Sequence, residues 1–483
     1  MARQRIGAVR EPDAGDRAPH KIVATLGPAS QNAERIAALI EAGANVFRLN
    51  FSHGTRAQHE LTFETIHEVA HGLGRTVAVL GDLQGPKIRT GDLAVGTVRL
   101  APGAAFIITT RNVPGDAEAV STSFQPLPTC VAPGQRLLLS DGQLALGVEA
   151  VDRTDVRCTV LVGGELREHA GINLPDLAMT IPSLTEKDEV DLDTCLDLGV
   201  DYVALSFVQR AEDVKPLRAH RRLWRSRVPV IAKIEKRAAI DHLAAIVRAF
   251  DGVMVARCDL AVETSAAEVP VFQKRIIQLA LAAGKPVITA TQMLESMTHS
   301  PQPTRAEASD VANAVWDGTD AVMLSAETAI SEYPVETVET MAAIIRRATT
   351  DYPSFHLAPP AVVSEAEAVV HAAVDLASHI NAAAILVLTR SGRTAQLVAR
   401  ERPAAPILAV TDNDLVRRQL ALVWGVQPYL RRYLATTDDM LADTERFLLA
   451  RGVLSAGNRI VVTGEAPVTA RSRTNFIKLH MVR

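Results

Sequence analysis

Paired cysteines, long apolar runs and an excess of positive charge are all missing from this chain. Its four cysteines, Cys130, Cys158, Cys195 and Cys258, form no C-x-x-C pair, so a zinc site or a disulfide framework has little support. No apolar run approaches the ~18 residues that cross a bilayer. The formal net charge is −4, which gives no electrostatic reason to expect nucleic acid, although a local basic pocket for a small phosphate is allowed. Arg3, Arg5, Arg10, Glu11, Asp13, Asp16 and Arg17 crowd the N-terminus without an apolar stretch between them. A secretory signal needs such a stretch, so residues 1–19 read as a tail and a reducing cytoplasm is the expected location.

What is present is an ordinary globular balance, 48% hydrophobic and 22% charged over 483 residues, enough for about three domains. Eight short apolar or β-branched runs recur, at 21–27, 45–51, 76–83, 202–208, 229–234, 252–257, 286–292 and 321–325. Continuous hydrophobicity is what parallel strands covered on both faces require. Helical segments lie between them, among them Gln31–Ala44, Thr185–Leu198, Ala267–Ala283 and Thr304–Trp316. Strand–helix alternation repeated eight times predicts a (β/α)8 barrel, here over residues 20–87 and 171–350. Residues 88–170 break the rhythm with short alternating stretches rich in Gly, Thr and Val, and predict a small inserted β-barrel domain over the barrel mouth, placed to act as a lid. After DYPSFHLAPP, residues 351–483 predict a C-terminal α/β domain, with helices at 364–380, 392–401, 413–423 and 437–450 and strands at 384–389, 406–410 and 458–463.

Active sites of such barrels lie at the C-terminal ends of the strands. There the sequence places Arg48, Asn50, Ser52 and His53, then Asp82, Lys87 and Arg89, then Lys233 and Glu235, Arg257 and Asp259, Thr291, Gln292 and Glu295, and finally Ser325 and Glu327. One polar residue after a strand is usually a solvated loop residue; cations and carboxylates after six strands of eight are not a usual coincidence. Glu235 and Asp259 follow successive strands, so two carboxylates converge where Mg2+ can add substrate oxygens and water. Lys233, two residues before Glu235, points to the same side of its strand and sets an ammonium beside that metal, as phosphoryl transfer requires.

Ten blocks in order, among them KIVATLGPAS (21–30), GANVFRLNFSHG (43–54), DLQGPKIRTG (82–91), INLPD (172–176), IAKIEK (231–236), GKPVITATQMLESM (284–297) and PTRAEASDVANAV (303–315), resemble the signature blocks of the pyruvate kinase family from Lys21 onward. The resemblance implies a magnesium-dependent transfer of the phosphoryl group of phosphoenolpyruvate to ADP, the last step of glycolysis, in a homotetramer. It implies that Arg48 binds the substrate phosphate, that Lys233 stabilises the phosphoryl in flight, and that Glu235 and Asp259 hold Mg2+. Thr291, with the amides of Cys258 and Asp259, is similar to the carboxylate cradle; His53 and Arg89 match nucleotide contacts; Asn50, Ser52, Asp82 and the Leu83 carbonyl match a monovalent-cation pocket.

Some residues depart from the family's usual pattern. Cys258, Ala261 and Ala308 stand where the family usually shows glycine, which raises the question of strain if any of their φ angles is positive. Lys87 stands where K+-requiring members carry glutamate, and GPKIRTG resembles members that work without K+. In LTRSGRTAQLVAR, Ser391, Gly392, Arg393 and Thr394 resemble an effector-phosphate loop, for a sugar phosphate or nucleotide monophosphate. Two competing readings are another barrel enzyme of phosphoenolpyruvate or oxaloacetate, which would lack the insertion and the last domain, and a catalytically weakened relative, for which Cys258 is the sole argument.

Overall fold

The computed structural model describes residues 19–175, 183–351, 364–467 and 473–483. Residues 1–18 of the N-terminal tail, the linker after Asp351 and Asp176 of the INLPD block lie outside them. Each of the eight apolar runs forms one strand of a closed parallel barrel: Lys21–Thr25, Val46–Asn50, Ala78–Asp82, Tyr202–Leu205, Val230–Ile234, Gly252–Ala256, Val287–Ala290 and Ala321–Leu324. Helices between them start where a side chain caps the free amides. Asn32 caps Ala33–Ala42, Thr185 and Asp188 form a reciprocal box on Glu186–Leu198, and Thr304 and Glu307 do the same for Arg305–Trp316. Strands are therefore buried inward around Val23, Leu80, Tyr202, Ile231, Met254 and Ile288, and outward against the helix ring.

A recurring device sets the lower rim. Asn45, Asp201, Asp251 and Asp320 immediately precede barrel strands, and each side chain accepts an amide near the start of the preceding barrel strand, from Ile22, Val79, Val230 and Val287, at 2.8–3.0 Å. The second oxygens of the three aspartates are left for arginines. Arg218 takes Asp251, while Arg402 and Arg418 reach from the C-terminal domain to Asp320 (3.0 Å) and Asp201 (2.8 Å). The Tyr202 hydroxyl donates to the Gln419 carbonyl at 2.7 Å, and Ala421 and Leu422 pack into the barrel's interior cluster. The last domain is thus docked through the bottom of the barrel, opposite the catalytic end.

This docking has a pH signature. Burial raises the Asp201 carboxyl to about 6, against the opposing pull of Arg418 and the Val79 amide. An acid whose folded pKa exceeds its unfolded value of roughly 3.9 stabilises most below that value, and the contribution fades as pH rises through about 6. Arg418→Leu leaves the ionised form without its partner, so its Tm should fall further below wild type at pH 8 than at pH 5, by a difference worth roughly 1–3 kcal/mol. Thermal melts at both pH values test this; a gap that does not change with pH would sink it.

The insertion contains a six-stranded sheet, built from Ala105–Thr109, Ala119–Ser121, Arg136–Leu139, Leu144–Val151, Asp155–Val162 and Ile172–Asn173, and a two-stranded sheet of Thr97–Leu100 with Gly164–Arg167. Both wrap one apolar core that includes Val98, Phe106, Leu137, Leu146 and Leu166. Sheet pairing runs to Asn173, three residues past the expected boundary at 170. The C-terminal domain holds a five-stranded sheet with Ala384–Leu388 at its centre. Two of its strands were not expected from the sequence, Val426–Leu430 and Phe476–Met481. Both are edge strands, where Pro428 is tolerated and where hydrophobicity need not be continuous. The expected helix at 413–423 is a short α-helix, Asp414–Gln419, followed by a 3₁₀ turn.

Candidate active site

At the C-terminal end of the barrel, four charged side chains from three strands and the residue following one of them meet below the insertion. Arg48 and Asp82 lie at or near the ends of the second and third strands, and Arg48 Nε donates to Asp82 Oδ2 at 2.6 Å while Nη1 donates to Thr25 at 3.2 Å. Lys233 Nζ lies 2.9 Å from Glu235 Oε1 and 3.3 Å from Asp82 Oδ1, and donates to the Ser206 hydroxyl at 2.7 Å. The Asp82 Oδ1 contact is an ion pair without hydrogen-bond geometry, since that oxygen makes no hydrogen bond. Burial works against the Lys233 charge, but Asp82 and Glu235 outweigh it and raise its pKa. Burial likewise opposes the Asp82 anion, and Lys233 and Arg48 still hold its pKa below the ordinary value. Glu235 goes the other way. Burial raises it, Lys233 opposes, and the negative charge of Asp259 adds to the rise. Glu235 Oε2 also accepts the Phe207 amide at 2.7 Å. Two carboxylates that repel each other across a buried site are a hard-oxygen donor pair suited to a divalent cation. Among the described residues no group of three or more His, Cys, Asp or Glu could hold a metal, so the donor set needs oxygens from elsewhere.

Asp259 and Cys258 open the helix Arg257–Glu263, directly after the sixth strand. The Cys258 amide donates to Thr291 Oγ1 at 3.0 Å, and that hydroxyl donates to the Ala290 carbonyl at 2.7 Å. Thr291 has φ +66°, a conformation costly for a β-branched residue and typical of functional turns. Neither Cys258 nor Ala261 has a positive φ; both are helical, so the departure from glycine carries no backbone strain. Burial pushes the Cys258 thiol up to about 11, with Asp259 and Asp141 adding to it. Cys258→Gly should then lower stability by up to about 1 kcal/mol through helix propensity, read as a lower Tm. A higher Tm would mean that the cysteine does strain the turn.

The remaining sequence candidates are distributed unevenly. Asn50 Oδ1 accepts the Ser52 amide at 3.1 Å, and the Leu83 carbonyl accepts the Ser206 hydroxyl at 2.7 Å, so these oxygens already have protein donors. Lys87 lines a pocket with Asp259 and Lys236, and a Cβ at Gly171 would sit 3.2 Å from its Cε. Arg89 donates to the His169 carbonyl at 3.1 Å, at the base of the insertion. His53 stands at the rim, its imidazole held below the usual pKa by partial burial and by Arg89, Lys87 and Arg48. Glu327 is internal, accepting the amides of Leu294 and Ser325, and Glu295 is raised by burial and by Glu327 and Glu307. Far away, Gly392 caps the helix Arg393–Arg400 with φ +81°, its amide donating to Thr389. The Thr394 hydroxyl is buried against Thr474 at 2.8 Å, and the Arg393 amide donates weakly to Ser391 at 3.4 Å.

Three participants were not among the sequence candidates. Ser206 stands one residue past the fourth strand and orients Lys233. Asp141 comes from the insertion on a turn where Ser140, Asp141 and Gly142 all have positive φ, and Gly142 packs on Val262. Lys236 pairs with buried Glu263 at 2.6 Å and caps the Phe207 ring. The S-D-G triplet was a turn signal visible in the sequence; the other two had no local signal.

Comparison with known proteins gives the same picture. Family models described as pyruvate kinase, barrel domain, and pyruvate kinase, alpha/beta domain, match residues 18–338 and 367–480. A pyruvate kinase of Geobacillus stearothermophilus is 44% identical over 474 residues, 96% of this chain and 80% of that protein. One of Mycobacterium tuberculosis is 44% identical over 466 residues, 96% of this chain and 98% of its own length. Among solved structures, a pyruvate kinase from Cryptosporidium parvum superposes with a TM-score of 0.90 at 33% identity, covering all of both chains. With both of its principal domains and the insertion between their strands accounted for, this chain belongs to the pyruvate kinase family.

Proposed function

We propose that the chain transfers the phosphoryl group of phosphoenolpyruvate to ADP, releasing pyruvate and ATP, with the following assignment of residues. The observation that carries it is the convergence of Arg48, Lys233 and the carboxylates of Asp82 and Glu235 beside the Thr291–Cys258 turn. Arg48 binds the substrate phosphate. Lys233 meets the charge that develops as the phosphorus–oxygen bond breaks and the enolate leaves. The substrate carboxylate lies against Thr291 and the amides of Cys258 and Asp259. Glu235 and Asp259 hold Mg2+, which when bound neutralises oxygens of the transferring group. Thr291 serves the protonation of the enolate at carbon through water. His53 and Arg89 contact the nucleotide from the rim, and the insertion closes to exclude water.

K+ is not required in this reading, because Lys87 supplies its charge. The edge strand Phe476–Met481, with Leu479 and Met481 exposed, supports assembly beyond a monomer, and a homotetramer is the proposed state. Ser391, Gly392, Arg393 and Thr394 take the phosphate of an activating sugar phosphate or nucleotide monophosphate. Titrating such phosphates at subsaturating phosphoenolpyruvate should shift half-saturation in the wild type and not in Arg393→Ala. The location is the cytoplasm; no helix among the described residues is long and apolar enough to cross a membrane. A coupled assay of pyruvate release from phosphoenolpyruvate, with and without ADP and Mg2+, tests the function directly. Absence of ADP-dependent pyruvate release would overturn it.

A further inference from the structure

Arg257 is buried at the start of its short helix, and its guanidinium gathers the backbone that follows the seventh strand. Nε donates to the carbonyls of Ala290 and Thr291, each at 3.2 Å, and Nη2 donates to those of Thr291 at 2.6 Å and Gln292 at 3.0 Å. Three successive carbonyls therefore converge on one cation. Nη1 is tied from the other side to Asp310 at 2.6 Å and Gln273 at 3.3 Å, on the helices Arg305–Trp316 and Val269–Ala282. Nη2 also contacts the Met293 sulfur at 2.8 Å.

The backbone held this way is strained. Thr291 and Gln292 both have left-handed φ, +66° and +51°, with no glycine to relieve the strain. Such a conformation persists only when its surroundings impose it. With the carbonyls turned toward Arg257, the Thr291 hydroxyl accepts the Cys258 amide at 3.0 Å, on the helix that also carries Asp259, and donates to the Ala290 carbonyl at 2.7 Å. A planar fork with five donors can serve all these acceptors at once; an ammonium cannot.

We propose that Arg257 is a positioning residue, whose guanidinium imposes the strained turn that sets the Thr291 hydroxyl beside the Cys258 amide, where the substrate carboxylate is read to bind. The inference rests on the reading that Thr291 acts on phosphoenolpyruvate. Its test is a double-mutant cycle of Arg257→Met and Thr291→Val, with Arg257→Lys alongside, followed by steady-state kinetics in each substrate. Arg257→Met should lower kcat/KM for phosphoenolpyruvate by about a hundredfold while the KM for ADP changes less than about twofold. Arg257→Lys should recover only part of the loss. On the Thr291→Val background, Arg257→Met should cost less than about threefold, because the group it positions is already gone. Additive losses in the cycle, or equal changes in KM for both substrates, overturn the inference and leave the Thr291 assignment standing. Wild-type rates in Thr291→Val alone overturn that assignment, and the inference with it. Should Arg257→Met fail to fold, Asp310→Asn loosens the same guanidinium without removing it and must reproduce the selective loss for phosphoenolpyruvate.

Discussion

Lys233→Met should lower turnover by about a thousandfold or more and leave the KM for phosphoenolpyruvate within a few-fold of wild type. Removing one preorganised charge from a desolvated transition state typically costs about 3–4 kcal/mol, and Lys233 is more strongly engaged than a single donor. It makes contacts to Ser206, Glu235 and Asp82 within 3.3 Å, with its side chain 13% exposed. Those carboxylates raise its pKa, which favours the charged form. Methionine keeps the volume and loses the charge, leaving Arg48 as the remaining cation paired with Asp82. On the proposed assignment the ground state keeps its phosphate anchor in Arg48, so binding survives while the chemical step does not. A variant that retains a tenth of wild-type turnover would falsify the assignment of Lys233.

Lys87→Glu should make activity depend on K+, with a loss of roughly a hundredfold in potassium-free buffer that added K+ restores in large part. Two unit charges ~5 Å apart at an effective dielectric near 20 interact by about 3 kcal/mol, equivalent to that factor. A tethered ammonium supplies near the substrate phosphate the charge that a monovalent cation otherwise brings. The structure supplies two supporting observations. Lys87 lies beside Gly171 and lines a pocket together with Asp259. In the matching cation pocket Asn50 Oδ1 accepts the Ser52 amide, the Leu83 carbonyl accepts the Ser206 hydroxyl, and Asp82 is ion-paired with Arg48 and Lys233. The measurement is turnover at constant ionic strength in tetramethylammonium salt, with K+ then titrated. Strong activation of the wild type by K+ would show that Lys87 does not replace it.

Much of this was legible in the chain itself. The barrel strands could be read because each is covered on both faces and must therefore be continuously apolar, which leaves a local trace in every one of the eight runs. The charged residues at their ends could be read because parallel strands all deliver their C-termini to one face. Lys233 and Glu235 share a strand side by a period of two, and the structure brings them to 2.9 Å. The edge strands Val426–Leu430 and Phe476–Met481 were not legible, since an edge needs neither continuous burial nor every amide.

What the sequence by itself determined is which residue types arrive at the barrel's catalytic end and in what order around it, because strand pairing follows chain order. The tertiary structure alone decided what each of them is tied to. Asp82, read as one wall of a cation pocket, is the shared counter-ion of Arg48 and Lys233, a pairing set by the curvature of the barrel. Arg257, read as one more polar residue after a strand, holds three carbonyls of the neighbouring strand's loop. Asp201 and Asp320, which look like ordinary residues before strands, carry the arginines that dock the last domain. Local patterning is written in burial, which acts residue by residue. Hydrogen-bond and charge partnerships between residues far apart in the chain exist only once closure of the barrel has brought their strands together.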